Sequence, residues 1–147
     1  MKLEDKMCVS GKLTIFRKEA DGKLTKVLEK NNLVVNTGLQ FLVNLMNGSS
    51  GLSHIAVGTD NTAVQAGDTT LGNELAREAF SSTAAVSTTW RADATFGSTE
   101  AVGTWEEAGM FNAAASGTMF NRVTGIGFTK SSGDTIIARF EITFSAV

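Results

Sequence analysis

The clearest hydrophobic pattern lies near the end of the chain, where Ile136, Ala138, Phe140, Ile142, Phe144 and Ala146 alternate with Thr135, Ile137, Arg139, Glu141, Thr143 and Ser145. A period of two with one apolar face predicts a strand laid against a core, with Phe140, Ile142 and Phe144 pointing inward. Trp90, Ala92, Ala94 and Phe96 repeat the pattern, with Thr89, Arg91, Asp93 and Thr95 on the other face. Trp105, Glu107, Gly109 and Phe111 alternate likewise, and the small residues 113–117 read as a turn into a strand over 118–124. Closer to the start, the β-rich runs 12–18 and 23–35 flank Ala20-Asp21-Gly22, and Asp-Gly in that setting is a strong hairpin signal.

The period changes once. Leu39, Leu42, Val43 and Met46 fall at i, i+3, i+4 and i+7, which predicts a short helix over about residues 38–46 with these four on its apolar stripe. Thr37 with Gln40 three positions later has the form of a capping box, and Asn47-Gly48 suits a left-handed stop. Seven or eight short strands and one early helix predict a mainly β chain folded as an antiparallel β-sandwich, with a jelly roll among the topologies open to it.

Composition keeps this to one domain. At 147 residues a fold buries roughly 68 to 70% of its unfolded surface, enough for a core without a metal or a disulfide. Fifteen glycines and no proline suit closely packed sheets, and the single cysteine, Cys8, excludes an internal disulfide and the usual Cys/His zinc site. Charge is uneven: residues 1–30 hold eight basic against five acidic residues, net +3, and residues 31–147 hold five against ten, net -5. A basic N-terminal portion fits an acidic neighbour, or is simply a solvated hairpin face. Residues 1–10 are charged and aperiodic at their start, which predicts a flexible arm. No apolar run has the length of a signal peptide's core or of a membrane span, so the expected place of synthesis is the cytoplasm.

Catalytic equipment is sparse. His54 is the only histidine, no carboxylate is near it in sequence, and no Gly-x-Ser-x-Gly elbow exists. Glu106 and Glu107 are neighbours on a predicted strand and so point to opposite faces, one buried or at an edge and the other solvated. Asp60, Asp68 and Asp134 sit in turn-like surroundings without the spacing of a calcium loop, which favours bonds to their own backbone over metal ligation. Gly125-Ile126-Gly127 is too short for a phosphate cradle and reads as a bulge or a close strand crossing. Neither an enzymatic activity nor a cofactor is expected.

The series Ile55-Ala56-Val57-Gly58-Thr59, Gly67-Asp68-Thr69-Thr70-Leu71, Glu74, Arg77, Glu107-Ala108-Gly109-Met110-Phe111-Asn112, Met119 and Arg122 resembles a group of small virion structural proteins of tailed bacteriophages. The likeness runs from about Asn32 to the C-terminal end. It implies a capsid decoration, or cement, protein on the outer surface of the head, bridging subunits of the major capsid protein as a homo-oligomer, with a trimer favoured. Neither nucleic acid nor membrane is an expected partner. The Ile-x-Val-Gly and Glu-x-Gly-x-Phe elements also resemble N-terminal domains of tail-collar and tail-fibre proteins, so a tail, baseplate or fibre-adaptor role is the alternative; a carbohydrate-binding surface module is the second. Gly58, Glu107, Gly109, Phe111 and Asn112 are the candidate structural motif, with the two glycines admitting close backbone approach. Candidate interaction residues are Lys2, Lys6, Lys12, Arg17 and Lys18, together with Glu74 and Arg77, which are expected to pair across a subunit contact.

Overall fold

A computed structural model of the protein describes residues 6–146. Among them are eight strands and one helix: β1 (Met7–Lys18), β2 (Leu24–Val34), α1 (Asn36–Met46), β3 (His54–Gly58), β4 (Glu74–Val86), β5 (Thr89–Phe96), β6 (Gly103–Phe111), β7 (Met119–Lys130) and β8 (Thr135–Ala146). They close into an antiparallel barrel in the order β1-β2-β7-β6-β3-β4-β5-β8. The expected sandwich is therefore wrong, because every described strand has a hydrogen-bonded neighbour on each side and the strands form one closed barrel.

Two long strands make the closure. β4 pairs with β3 through Glu74 to Ala79 and then with β5 through Phe80 to Val86. β2 pairs with β1 along most of its length and reaches β7 only at Leu33 and Val34, opposite Arg122 and Asn121. A strand that changes partner part-way turns a corner, and bulges supply the bend. The largest lies in β7, where Trp105 faces Phe128 but Glu107 faces Thr124. Gly125 (φ 69°) and Gly127 (φ 61°) form it, in backbone conformations that side chains other than glycine rarely adopt. The reading of this tripeptide as a bulge agrees with the structure.

The interior holds Leu13, Ile15, Ile55, Val57, Phe96, Trp105, Met110, Phe128, Ile136, Phe140 and Ile142 in one cluster. Burial alternates along β8 from Thr135 to Ile142 as the sequence pattern requires, with Ile136, Ala138, Phe140 and Ile142 inside, whereas Phe144, expected inward as well, is only half-buried near the strand's end. Trp105 stacks edge-on against both Phe96 and Phe128.

The N-terminal end and the helix depart from expectation. Met7 to Ser10 are not an arm but the first part of β1, opposite Ala146 to Thr143 of β8. Lys2 and the rest of residues 1–5 lie outside the described residues. Helix α1 buries Gly38 and Phe41, whereas Leu39, Val43 and Met46 of the expected apolar stripe face solvent. Gly38 lies against the backbone of Phe120, and that approach sets the helix rotation. No capping box forms: Val35 is the N-cap, and the Thr37 hydroxyl donates instead to the Met119 carbonyl at 2.7 Å.

Candidate functional site

Residues 59–73 connect β3 to β4 without regular secondary structure. A loop of that length in a compact domain is uncommon and usually functional. Here it lies flat on the outer wall formed by β3, β6 and β7. A second, smaller apolar cluster fixes it there, in which Leu71 of the loop packs with Val35, Ala56, Phe111 and Met119, and Val64 adds to the rim.

Charge completes the attachment. Glu107 sits on β6 with its side chain wholly buried, where it accepts from the backbone N–H groups of Gly72 (2.9 Å), Asn73 (2.7 Å) and Asp60 (3.3 Å). From the neighbouring strand β7, Arg122 donates to the same carboxylate through Nε (3.0 Å) and a terminal nitrogen (2.8 Å). The same guanidinium reaches Asp68 at 2.8 Å and Asp60 at 3.0 Å, with its own side chain only 4% exposed. Arg122 thus holds the loop to the wall at its start and past its middle, and Glu107 holds its end. Gly58 and Gly72 are glycine because a Cβ at the first would strike the Asn73 carbonyl and the Glu107 carboxylate, and at the second the Asp60 carboxylate.

The electrostatics follow from these contacts. The Thr62 hydroxyl and amide, with Arg122, hold the Asp60 carboxyl below its ordinary value of 3.8. Burial pushes Asp68 up, but the Gln65 amide and Arg122 outweigh it and the net shift is again downward. Burial pushes Arg122 down, and its bonds to Asp68 and Glu107 more than reverse that. Each aspartate also closes its own turn, Asp60 through Thr62 and Asp68 through Gln65, as expected from sequence.

A second attachment lies beside the first. Arg77 on β4 donates to the carbonyls of Ala113 and Ser116, both at 2.9 Å, and so fixes the turn between β6 and β7. Its guanidinium lies 3.7 Å from the centre of the Phe111 ring and pairs with Glu74 of the same chain at 2.6 Å. Within this chain Glu74 and Arg77 thus pair with each other. Asn112 closes the same turn by accepting from the Thr118 amide at 2.7 Å, and Gly109 leaves room for the Asn121 carbonyl.

The candidate motif residues Gly58, Glu107, Gly109, Phe111 and Asn112 thus come together on one wall, joined by Arg122, Asp60 and Asp68. The basic candidates do not join them. Lys12 lies 3.6 Å from both Glu29 and Glu141, Arg17 lies 4.0 Å from Asp134, and Lys6 and Lys18 are exposed. Sequence reasoning had no place for Lys130, which is wholly buried with no hydrogen-bond partner on its Nζ. It stands in phase with Ile126 and Phe128 on β7, and that inward register was the available signal.

For chemistry, the wall offers a filled charge cluster. Among the described residues no three His, Cys, Asp or Glu side chains converge where a metal would sit, and Arg122 occupies the centre of the carboxylates that come nearest to it. The His54 Nδ1 meets only its neighbour's hydroxyl, Ser53 Oγ at 2.7 Å. Comparison of the chain with models of known protein families, with curated proteins and with solved structures yields no match.

Proposed function

We propose that the protein is a non-enzymatic structural component of a tailed-bacteriophage virion, a cement protein on the outer surface of the head that bridges major capsid subunits as a homo-oligomer, with a trimer favoured. The observation that carries this reading is the use made of buried charge. Glu107, Arg122, Asp60, Asp68 and Arg77 all fix loops or turns to the barrel wall, and the residues that carry the likeness to phage virion proteins are largely these same ones. A protein that holds rigid surfaces against large neighbours needs such attachments, whereas an acid–base catalyst needs ionisable groups facing a cavity that admits substrate.

The test is to compare particles carrying the protein with particles lacking it, under heating or chelation. Binding to the assembled shell stabilises that state by mass action, so decorated particles retain their DNA to higher temperature. Equal DNA loss from both overturns the cement reading. Copy number then separates head from tail: hundreds per particle for a head protein, a small multiple of three or six for the fibre or baseplate alternative.

A further inference from the structure

One end of the barrel carries almost no charge. The 29 residues from Asn31 to Thr59 contain no Asp, Glu, Lys or Arg, and neither do the 12 from Ala79 to Trp90 nor the last six, from Ile142 to Val147. The pairing register brings these segments to the same end: α1 and its following loop, the β4–β5 hairpin, the end of β8, and Met7 at the start of β1 opposite Ala146. Lys6, beside Met7, stands at the edge of this end, and the ion pairs lie elsewhere, around the loop 59–73 and along the β1–β2 hairpin.

That end is also apolar and shaped. On α1, Met46 is 84% exposed, Val43 54% and Leu39 47%, forming a continuous stripe. Beside the stripe opens a hollow of about 370 Å³ lined by apolar side chains, among them Phe41, Leu42, Leu45, Leu52, Trp90 and Phe144. Leu39, Val43, Leu45, Met46 and Met7 together leave roughly 500 Å² of apolar surface in water, at the upper range of a monomer's largest patch and approaching the ~800 Å² that one partner brings to a stable complex. Half-buried Leu42, Leu52, Trp90 and Phe144 extend it.

We infer that this charge-poor end is the surface by which copies of the chain associate, the α1 stripe of one copy packing over the hollow of the next. A second copy is the occupant that suits the charge, because a face with no formal charge at its centre, and Lys6 beside Met7 at its edge, selects no charged partner and meets little repulsion from its own kind. Shape points the same way: the face holds both a protruding residue, Met46, and a depression of matching chemistry. Depletion of charge from an apolar centre is the pattern of a subunit interface. The inference rests on the self-association in the function proposed above and not on its place in a particle. Shell binding lost while free protein still associates would fail the particle reading alone.

The experiment measures the mass of the full chain in solution by sedimentation equilibrium, from micromolar concentrations upward, for the wild type, Val43→Glu, Met46→Glu and a control, Lys26→Glu on β2. The wild type and the control should associate reversibly to the same oligomer. Each α1 variant should raise the dissociation constant about a hundredfold, as burying an unpaired carboxylate at the contact requires, with an unchanged circular dichroism spectrum because both side chains already face water. A wild type that stays monomeric throughout, or glutamate variants that associate as the wild type does, would overturn the inference. If both variants unfold, Val43→Ser and Met46→Ser replace them, and the same weakening in direction is required.

Discussion

The strapped wall and the α1 end of the barrel differ in what they do with polar groups. On the wall, Arg122 and Glu107 are buried and fully engaged, and the loop they hold stays on the barrel because leaving would strand those charges. On α1 and its flanking segments there is no charge to strand, and apolar side chains stand in water on a helix whose rotation is set by Gly38 and Phe41 rather than by its widest apolar arc. The lesson is that an ion cluster fixes one geometry within a chain, whereas an uncharged apolar face leaves geometry to be completed from outside. β7 shows the same contrast in miniature, since its two buried cations, Arg122 and Lys130, are respectively saturated and unpartnered.

Breaking the wall should have the largest effect. Arg122→Met leaves the buried Glu107 side chain with only backbone donors, and removal of one partner from a buried pair costs about 3 to 5 kcal/mol. A chemical denaturation midpoint unmoved by this substitution would show that the cluster is incidental to stability.

Lys130→Met should act in the opposite direction. Burial pushes the Lys130 pKa down from 10.5, so the unfolded chain binds the proton more tightly than the folded one. Stability is then greatest above pH 10.5, falls as pH drops from there towards the lower folded value, and carries the full penalty below it. The substitution should therefore stabilise the protein by on the order of 1 kcal/mol at pH 7 and less at strongly alkaline pH. A loss of stability at pH 7 would mean that the ammonium has a partner after all.

Acid should loosen the strap without such a change in sequence. Asp60 and Asp68 are held below 3.8 in the fold, so their contribution is complete above the unfolded carboxylate range and is lost as pH falls through the lower folded values. Proteolysis within residues 59–73 should quicken below about pH 4, before the barrel core opens. Simultaneous opening of loop and core would deny the loop a separate attachment.

What was legible in the sequence is what is local. The Asp21-Gly22 hairpin, the alternation in β8 and the Gly125/Gly127 bulge each depend on a few adjacent residues, and the structure contains all three. Barrel closure depends on β5 meeting β8 and β2 meeting β7, pairings 40 to 90 positions apart that no periodicity encodes. The strap was half legible. Opposite facing of Glu106 and Glu107 follows from strand geometry, but the partners of Glu107 come from residues 60, 72, 73 and 122, which only the folded barrel brings together. Helix α1 misled because period gives the apolar arc of a helix and not which part of that arc the protein itself covers.

The difference between the two regions is tested most directly by amide hydrogen exchange on the free protein at low and high concentration. Association through the charge-poor end predicts new protection in α1, in residues 47–52 and in the β4–β5 hairpin, with Gly72 and Asn73 equally protected at both concentrations. New protection centred on residues 59–73, or on the basic β1–β2 hairpin, would contradict it.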